Sequence, residues 1–455
     1  MQLAESLRRL LPAHVVADDA DTLLAHSGDK WFASHRPDVV VLAESTEHVR
    51  DTLRFAHEHV VPVTARGAGY GYVGGVVPEK GGVALSLARM NGIVEIHPTD
   101  FVAVVEPGVI TGDLQAAARE QGMLYPPDPA SLKHCTIGGN IATNAGGPRC
   151  LKYGVTRNYV LGLEVVLADG RVVEIGGRTH KNKTGFDLVG LFVGSEGMLG
   201  VVTRATLRLL PHPPARAAIS AAMPTIREAA AAVQAVFSAG HLPAALEIAD
   251  RFTLAAARAH LGDAAPVGDG HLLIELDGHA GAIRAELADL AALVERNGST
   301  EVRIAFGDTE VEKLWALRRG FSESLKASGL TKLNEDVTVP RGRLVDLMDF
   351  AAGLQKKHGD AVACFGHAGD GNIHVNIMVA DYEQPEVRAR VQGALDELFG
   401  QVIAWGGAIT GEHGIGLAKK RWWPQAVSAE NFALHRQVKA ALDPQGILNP
   451  GKFLD

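Results

Sequence analysis

Apolar and polar positions are distributed along this chain in two textures. In the first half, short apolar runs stand between glycine- and proline-rich breaks. Val39-Val40-Val41-Leu42 reads as a buried strand. Ser45 or Thr46 can cap a following helix whose Val49, Leu53 and Ala56 fall on one face. Residues 62–65 predict a second strand that runs straight into Arg66-Gly67-Ala68-Gly69-Tyr70-Gly71. More strands are expected over 83–87, 93–96 and 101–106, then a helix capped by Thr111, carrying Leu114 and Ala117 and stopping at Gly122. Runs at 163–167 and 171–175 flank Asp169-Gly170, a hairpin signal. A last strand over 200–209 ends at Pro211-His212-Pro213-Pro214, which reads as a linker.

Beyond that linker the pattern changes. Alanine-rich helical stretches over 225–239, 279–297, 309–327, 341–358, 386–405 and 428–442 alternate with strands over 271–276, 332–339 and 374–378. This predicts a second domain of the α+β class. The expected division is an N-terminal helical segment, 1–35, a first domain, 36–214, and a second, 215–455.

Composition narrows the picture. A chain of 455 residues, 47% of them hydrophobic, can bury two or three cores. A net charge of -8 gives no electrostatic reason to expect nucleic acid. Cys135, Cys150 and Cys364 are the only cysteines, too few and too far apart for a disulfide framework, an iron–sulfur cluster or a structural zinc. The N-terminus lacks a signal-peptide core, and no apolar run is long enough to span a bilayer. A cytoplasmic protein is expected, with peripheral membrane association left open.

The 51 glycines are the outlier, and many fall in clusters. Arg66–Gly71, followed by Gly74-Gly75, can expose consecutive backbone N–H groups, a nest suited to a diphosphate. It is not the G-x-G-x-x-G dinucleotide fingerprint. Three more clusters follow. One is Pro126-Pro127-Asp128-Pro129. The next is Thr136-Ile137-Gly138-Gly139-Asn140 with Thr143-Asn144-Ala145-Gly146-Gly147 and Lys152-Tyr153-Gly154. The last is Gly194-Ser195-Glu196-Gly197-Met198-Leu199-Gly200-Val201-Val202. Four unrelated loops of this kind would be four coincidences.

The second domain carries the sharper chemistry. Gly366-His367-Ala368-Gly369-Asp370-Gly371-Asn372-Ile373-His374-Val375-Asn376 sets two histidines about a tight turn. If the part from Ile373 is a strand, alternation puts His374 and Asn376 on one face, and His367 can return to it across the turn. Thr410-Gly411-Glu412-His413-Gly414 then fixes a Glu-His pair in a glycine-flanked loop. Two imidazoles and a carboxylate make an open metal site. His57, His59 and His435 read as structural.

In the order of these clusters the chain resembles the vanillyl-alcohol oxidase and p-cresol methylhydroxylase (PCMH) superfamily, in the branch of cytochrome-type D-lactate dehydrogenases and glycolate oxidase flavin subunits. The resemblance implies an α+β fold: a two-subdomain PCMH-type FAD-binding domain followed by an α+β substrate domain. It implies that Arg66–Gly71 and 138–147 cradle the FAD pyrophosphate and that 196–202 lines the adenosine-to-isoalloxazine region. Pro127, Asp128, Thr136, Tyr153, Gly154 and Asn449 are expected as further cofactor contacts. Tyr70 stands where many relatives have Thr or His, so non-covalent FAD is expected. The resemblance also implies that His367, His374 and Glu412 ligate Zn²⁺ or Mn²⁺, that His413 is the base, that Arg318 clamps the substrate carboxylate, and that Lys332 and Asn376 touch substrate.

The implied reaction is oxidation of a small D-2-hydroxy acid, D-lactate or glycolate first, by hydride transfer to flavin N5. No C-x-x-C-H haem motif is present, so electrons are expected to leave for a separate cytochrome, quinone or electron-transfer flavoprotein, and a homodimer is compatible. The alternatives are a D-2-hydroxyglutarate dehydrogenase, which needs another cationic contact, and a non-catalytic FAD-binding subunit, which has no use for the histidine set. A metal-dependent hydrolase leaves the FAD clusters without purpose. An aryl-alcohol oxidase is expected to lack the histidine turn.

Overall fold

The computed structural model describes residues 3–262 and 265–454. Strands β1 (Val16–Ala17), β2 (Val39–Leu42), β3 (Val63–Arg66) and β4 (Val83–Ser86) form one sheet in the order β1-β2-β4-β3, with β4 parallel to both β2 and β3. Parallel strands need crossover connections, and the Thr46–His59 helix supplies one. Ser45 caps that helix by accepting from the His48 N–H, and Val49, Leu53 and Ala56 are buried.

Strands β5 (Ile93–His97), β6 (Val102–Val105), β8 (Val160–Val166), β9 (Val172–Gly176) and β10 (Val201–Arg208) form a second sheet in the order β5-β6-β10-β8-β9; β7 (Met123–Leu124) pairs with β11 (Leu210–Pro211). In β10, buried residues alternate with more exposed ones, as a sheet with one covered face requires. Thr111 begins the expected helix, but Ile110 holds the cap position; the Thr111 hydroxyl bonds Cys135 O instead. Val39, Val83, Val166, Val201 and Leu448 meet in one core.

The third sheet has seven strands: β12 (Ala215–Met223), β13 (Ala245–Asp250), β14 (Gly270–Gly278), β15 (Glu301–Phe306), β16 (Thr331–Thr338), β17 (Ala361–His367) and β18 (Asn372–Val379). Their order is β15-β12-β14-β13-β17-β18-β16, and every pairing is antiparallel. The six expected helices of this half form within a few residues of their predicted bounds, including Asp308–Ala327 and Leu344–His358. The strands β12, β13, β15 and β17 and the Arg251–Leu261 helix were not anticipated.

The chain divides into two compact units that depart from the sequence boundaries. One comprises Met1–Gly146, Gly154–His212 and Glu412–Asp455; the other comprises Gly147–Tyr153 and Pro213–Gly411. One boundary between the units lies between His212 and Pro213, within the proline-rich stretch. The expected second domain is not one continuous stretch, because Lys439 and Lys452, buried near the C-terminus, donate to Met198 O and Val77 O of the first unit. Gly147–Tyr153 belongs to the second unit through Arg149 and Lys152, which pair with Glu275 and Asp277.

Candidate functional site

In the first unit, β3 delivers Arg66 into the first glycine cluster. Arg66 is buried and its Nη1 donates to Gly28 O at 3.1 Å, so it braces the loop. A Cβ on Gly67 would lie 2.1 Å from Thr136 Oγ1, so only glycine lets the two clusters approach this closely. The N–H groups of Gly67, Ala68 and Gly69 donate to no backbone carbonyl among the described residues. Tyr70 stacks on His134 at 4.7 Å with Lys30 Nζ 4.5 Å from its ring centre. A cavity of about 510 Å³ opens beside Ala68, Gly108, Val109, Ile110, Asp113 and Thr136. It joins both clusters and has the size of a cofactor pocket. Open loop donors beside that cavity fit an FAD diphosphate.

The cluster that begins at Thr136, whose residues 138–147 the resemblance assigns to the pyrophosphate cradle, is not an open loop throughout. Residues Ile137–Thr143 form a short helix capped by Thr136, whose hydroxyl accepts from Gly139 N. The Gly138 N–H donates to Pro107 O at 2.8 Å. Both donors are therefore committed within the protein. Asn140 is buried and bonds Thr111 Oγ1, Thr143 Oγ1 donates to Gly139 O, and Asn144 Oδ1 accepts from Arg157 N. Of the other expected contacts, Pro127 O accepts from Gln115 and Asp128 is buried. The Tyr153 hydroxyl donates to Asp277 within the second unit, and Gly154 turns the chain at φ 84°.

Glu196 spends its carboxylate on the backbone N–H groups of Ile415, at 2.7 Å, and Gly416, at 2.9 Å. Burial raises its pKa against the pull of those bonds and of Lys452 and Lys419. Asn449 Nδ2 donates to Gly75 O and Glu196 O, tying two glycine clusters together. Gly197 has φ 71°, Gly200 packs against Val165, and Val201 and Val202 pair with Val166 and Val165. The side chain of Val201 thus belongs to the core rather than to a ligand surface. His413 stacks on Tyr72 at 5.3 Å, and its Nε2 is 3.9 Å from Glu412 Oε1.

In the second unit, β17 ends at His367, a 3-10 turn follows over Ala368–Asp370, and β18 returns. Phe365 stands opposite His374, and Ala363 opposite Asn376, which puts His367, His374 and Asn376 on one face of the sheet. The imidazole centres of His367 and His374 are 5.5 Å apart. Next in β18 order is β16, where Asp336 faces His374 and Asn334 faces Asn376. Asn376 donates to Ala363 O and His374 O; its Oδ1 is buried without a partner among the described residues.

Asp336 anchors the end of this unit. It accepts from Asn372 Nδ2, Thr410 Oγ1 and Gly411 N. A Cβ on Gly411 would lie 2.2 Å from Asn372 Nδ2, which seats the peptide tightly. Glu412 is the next residue, held by that peptide bond. His367, His374 and Glu412 each offer one ligand atom. The three groups could hold a divalent cation and leave positions open for substrate oxygens.

Glu247, in the middle of β13, is the residue that the sequence reading missed. It is fully buried; Oε1 is 2.7 Å from His367 Nδ1 and Oε2 is 2.6 Å from Arg318 Nε. Burial pushes its pKa up, but His367 and Arg318 outweigh that and hold it at about 2. The available signal was one carboxylate inside the apolar run Ala-Leu-Glu-Ile-Ala. Arg318 is a buried member of this network, with Phe365 and Phe321 beside its guanidinium, rather than a solvated helix charge. Lys332 donates to Ser322 Oγ; burial, then Lys326, lowers its pKa to about 8. A parallel cluster joins Glu275 to Arg149, Arg216 and Trp315, also unforeseen.

The chain is similar to known proteins. Residues 37–176 match the model of an FAD binding domain, and residues 212–453 that of the C-terminal domain of FAD linked oxidases. The chain is 39% identical over 418 residues to the glycolate oxidase subunit GlcD of Bacillus subtilis, covering 92% of this chain and 89% of that one. It is 34% identical over 464 residues to a D-lactate dehydrogenase of Anaerostipes hadrus, covering 99% and 97%. Its fold is that of p-cresol methylhydroxylase with substrate bound, at a TM-score of 0.77, 20% identity, and 99% and 96% coverage.

Proposed function

The chain belongs to the FAD-linked oxidases, and on that premise we propose that it oxidises a small D-2-hydroxy acid, D-lactate or glycolate, to the 2-oxo acid with the help of a divalent cation. The observation that carries the reading is the pair of imidazoles, His367 and His374, on one sheet face, with Glu412 following directly on the Gly411 peptide that Asp336 holds. The relatives named as glycolate oxidase subunit and D-lactate dehydrogenase support the substrate class.

FAD, when bound, supplies the two-electron acceptor. It is held without a covalent bond, since Tyr70 offers no imidazole in the first loop. A divalent cation, Zn²⁺ or Mn²⁺, supplies Lewis acidity toward the substrate hydroxyl. His367, through the nitrogen that does not face Glu247, His374 and Glu412 would hold it. Arg318 has its inner Nε on Glu247, which leaves the two outer nitrogens for a two-pronged grip on the substrate carboxylate. Lys332 and Asn376, the latter with its unpartnered oxygen, add polar contacts to the substrate. His413 takes the hydroxyl proton, the general-base role that an imidazole most often fills in enzymes. Electrons then pass to a separate acceptor, a cytochrome, quinone or electron-transfer flavoprotein. No described helix is long and apolar enough to cross a membrane.

The deciding experiment is anaerobic flavin bleaching with D- and L-lactate, glycolate and D-2-hydroxyglutarate, with metal analysis of the same sample. Bleaching by D-lactate or glycolate that is lost on chelation and restored by Zn²⁺ or Mn²⁺ is expected. Full bleaching after the metal has been removed would end the metal-assisted reading, and bleaching by L-lactate alone would end the assigned stereochemistry.

A further inference from the structure

We propose that Glu247 is a positioning residue that joins the metal ligand His367 to the carboxylate grip of Arg318, so that one buried side chain sets both halves of substrate binding. The inference rests on the reading above, in which His367 ligates a cation and Arg318 holds the substrate.

Glu247 comes from the centre of β13, whereas His367 ends β17 and Arg318 comes from the Asp308–Ala327 helix. Its two oxygens are divided between them, at 2.7 Å to His367 Nδ1 and 2.6 Å to Arg318 Nε. An ionised carboxylate only accepts, so the His367 proton must sit on Nδ1. That leaves the Nε2 lone pair for a cation, in an orientation that the carboxylate fixes. On the other side, a bond to Arg318 Nε turns the guanidinium plane while sparing its outer nitrogens. Neither oxygen can be withdrawn from one neighbour without leaving a buried donor unpaired.

Glu247→Gln separates the two duties. An amide has one accepting atom and one donating group, so it can serve only one neighbour as the carboxylate does. If its oxygen accepts from Arg318, its NH₂ faces His367 Nδ1 and forces the proton onto Nε2, the ligating nitrogen. The experiment uses the full, FAD-loaded chain and measures Zn²⁺ and Mn²⁺ affinity by chelator competition. It also measures KM for D-lactate at saturating metal and the histidine tautomers by ¹⁵N NMR without metal. Glu247→Gln should keep its flavin, bind metal about 10–100-fold more weakly, raise KM, and lose the Nδ1–H signal of His367. Glu247→Asp keeps the charge and should restore part of the metal affinity, and it serves as the second variant should the amide fail to fold. A wild-type protein that binds neither metal overturns the reading beneath and this inference with it. A wild type that binds metal beside a Glu247→Gln variant within twofold in metal affinity, with unchanged KM and tautomer, overturns the inference alone.

Discussion

The glycine loops of the first unit and the histidine turn of the second solve the problem of holding a ligand by opposite means. The first is built from main chain. Gly67 approaches Thr136 because neither side chain bulk nor a competing bond intervenes, and its neighbours keep their N–H groups open. The second is built from side chains. His367, Arg318 and the Thr410-Gly411 peptide are each held by a buried carboxylate, Glu247 or Asp336. A main-chain site is sensitive to added volume, and a side-chain site is sensitive to the loss of one polar partner. The two should therefore fail differently.

The largest effects should fall on the side-chain site while the glycine loops stay intact. His413→Ala is expected to lose on the order of 10²–10⁴-fold in turnover with flavin and metal retained, measured by single-turnover bleaching and metal content. Glu412→Ala should leave a yellow protein that binds no metal. Loss of flavin from either variant would break the contrast between the two regions. Arg318→Lys comes next. It cannot bond Glu247 and grip a carboxylate bidentately at once, so KM for the hydroxy acid should rise on the order of 10²-fold.

The main-chain site is tested by volume. Gly67→Ala places a methyl against Thr136 and should destabilise the fold by about 1–3 kcal/mol, with weaker FAD retention and unchanged metal affinity. Thermal melting and flavin release on dilution would check this, and an unaltered flavin affinity would remove the loop from the cofactor site. The smallest effect is a pH dependence. Lys332, lowered to about 8, is charged below that value and neutral above it. If its charge helps to bind substrate, KM should climb as pH rises past 8. In Lys332→Arg, whose side chain stays protonated, the climb should vanish. A wild-type KM that is flat from pH 7 to 9 would assign Lys332 no charged role.

Most of the second half's helices were legible because their apolar positions recur every three or four residues, and the hairpin at Asp169-Gly170 because its turn chemistry is local. Strand β13 was not. Its residues are buried on both faces apart from its last, and the short run lacks the alternation that marks a half-covered strand. The helix within the cluster that begins at Thr136 was not anticipated, because Gly138 and Gly139 are poor helix formers. A Thr136 cap and the Pro107 carbonyl satisfy its first N–H groups and stabilise it.

Sequence alone determined the pieces whose chemistry is contained in a dozen residues: the glycine clusters, two histidines on one sheet face across a turn, and a Glu-His pair in a glycine-flanked loop. Only the tertiary structure decided what holds them. Glu247 lies 120 residues before His367 and 71 before Arg318, and Asp336 lies 75 before Gly411. A buried carboxylate takes its role from the donors that folding brings to it, and no local pattern can encode partners that distant.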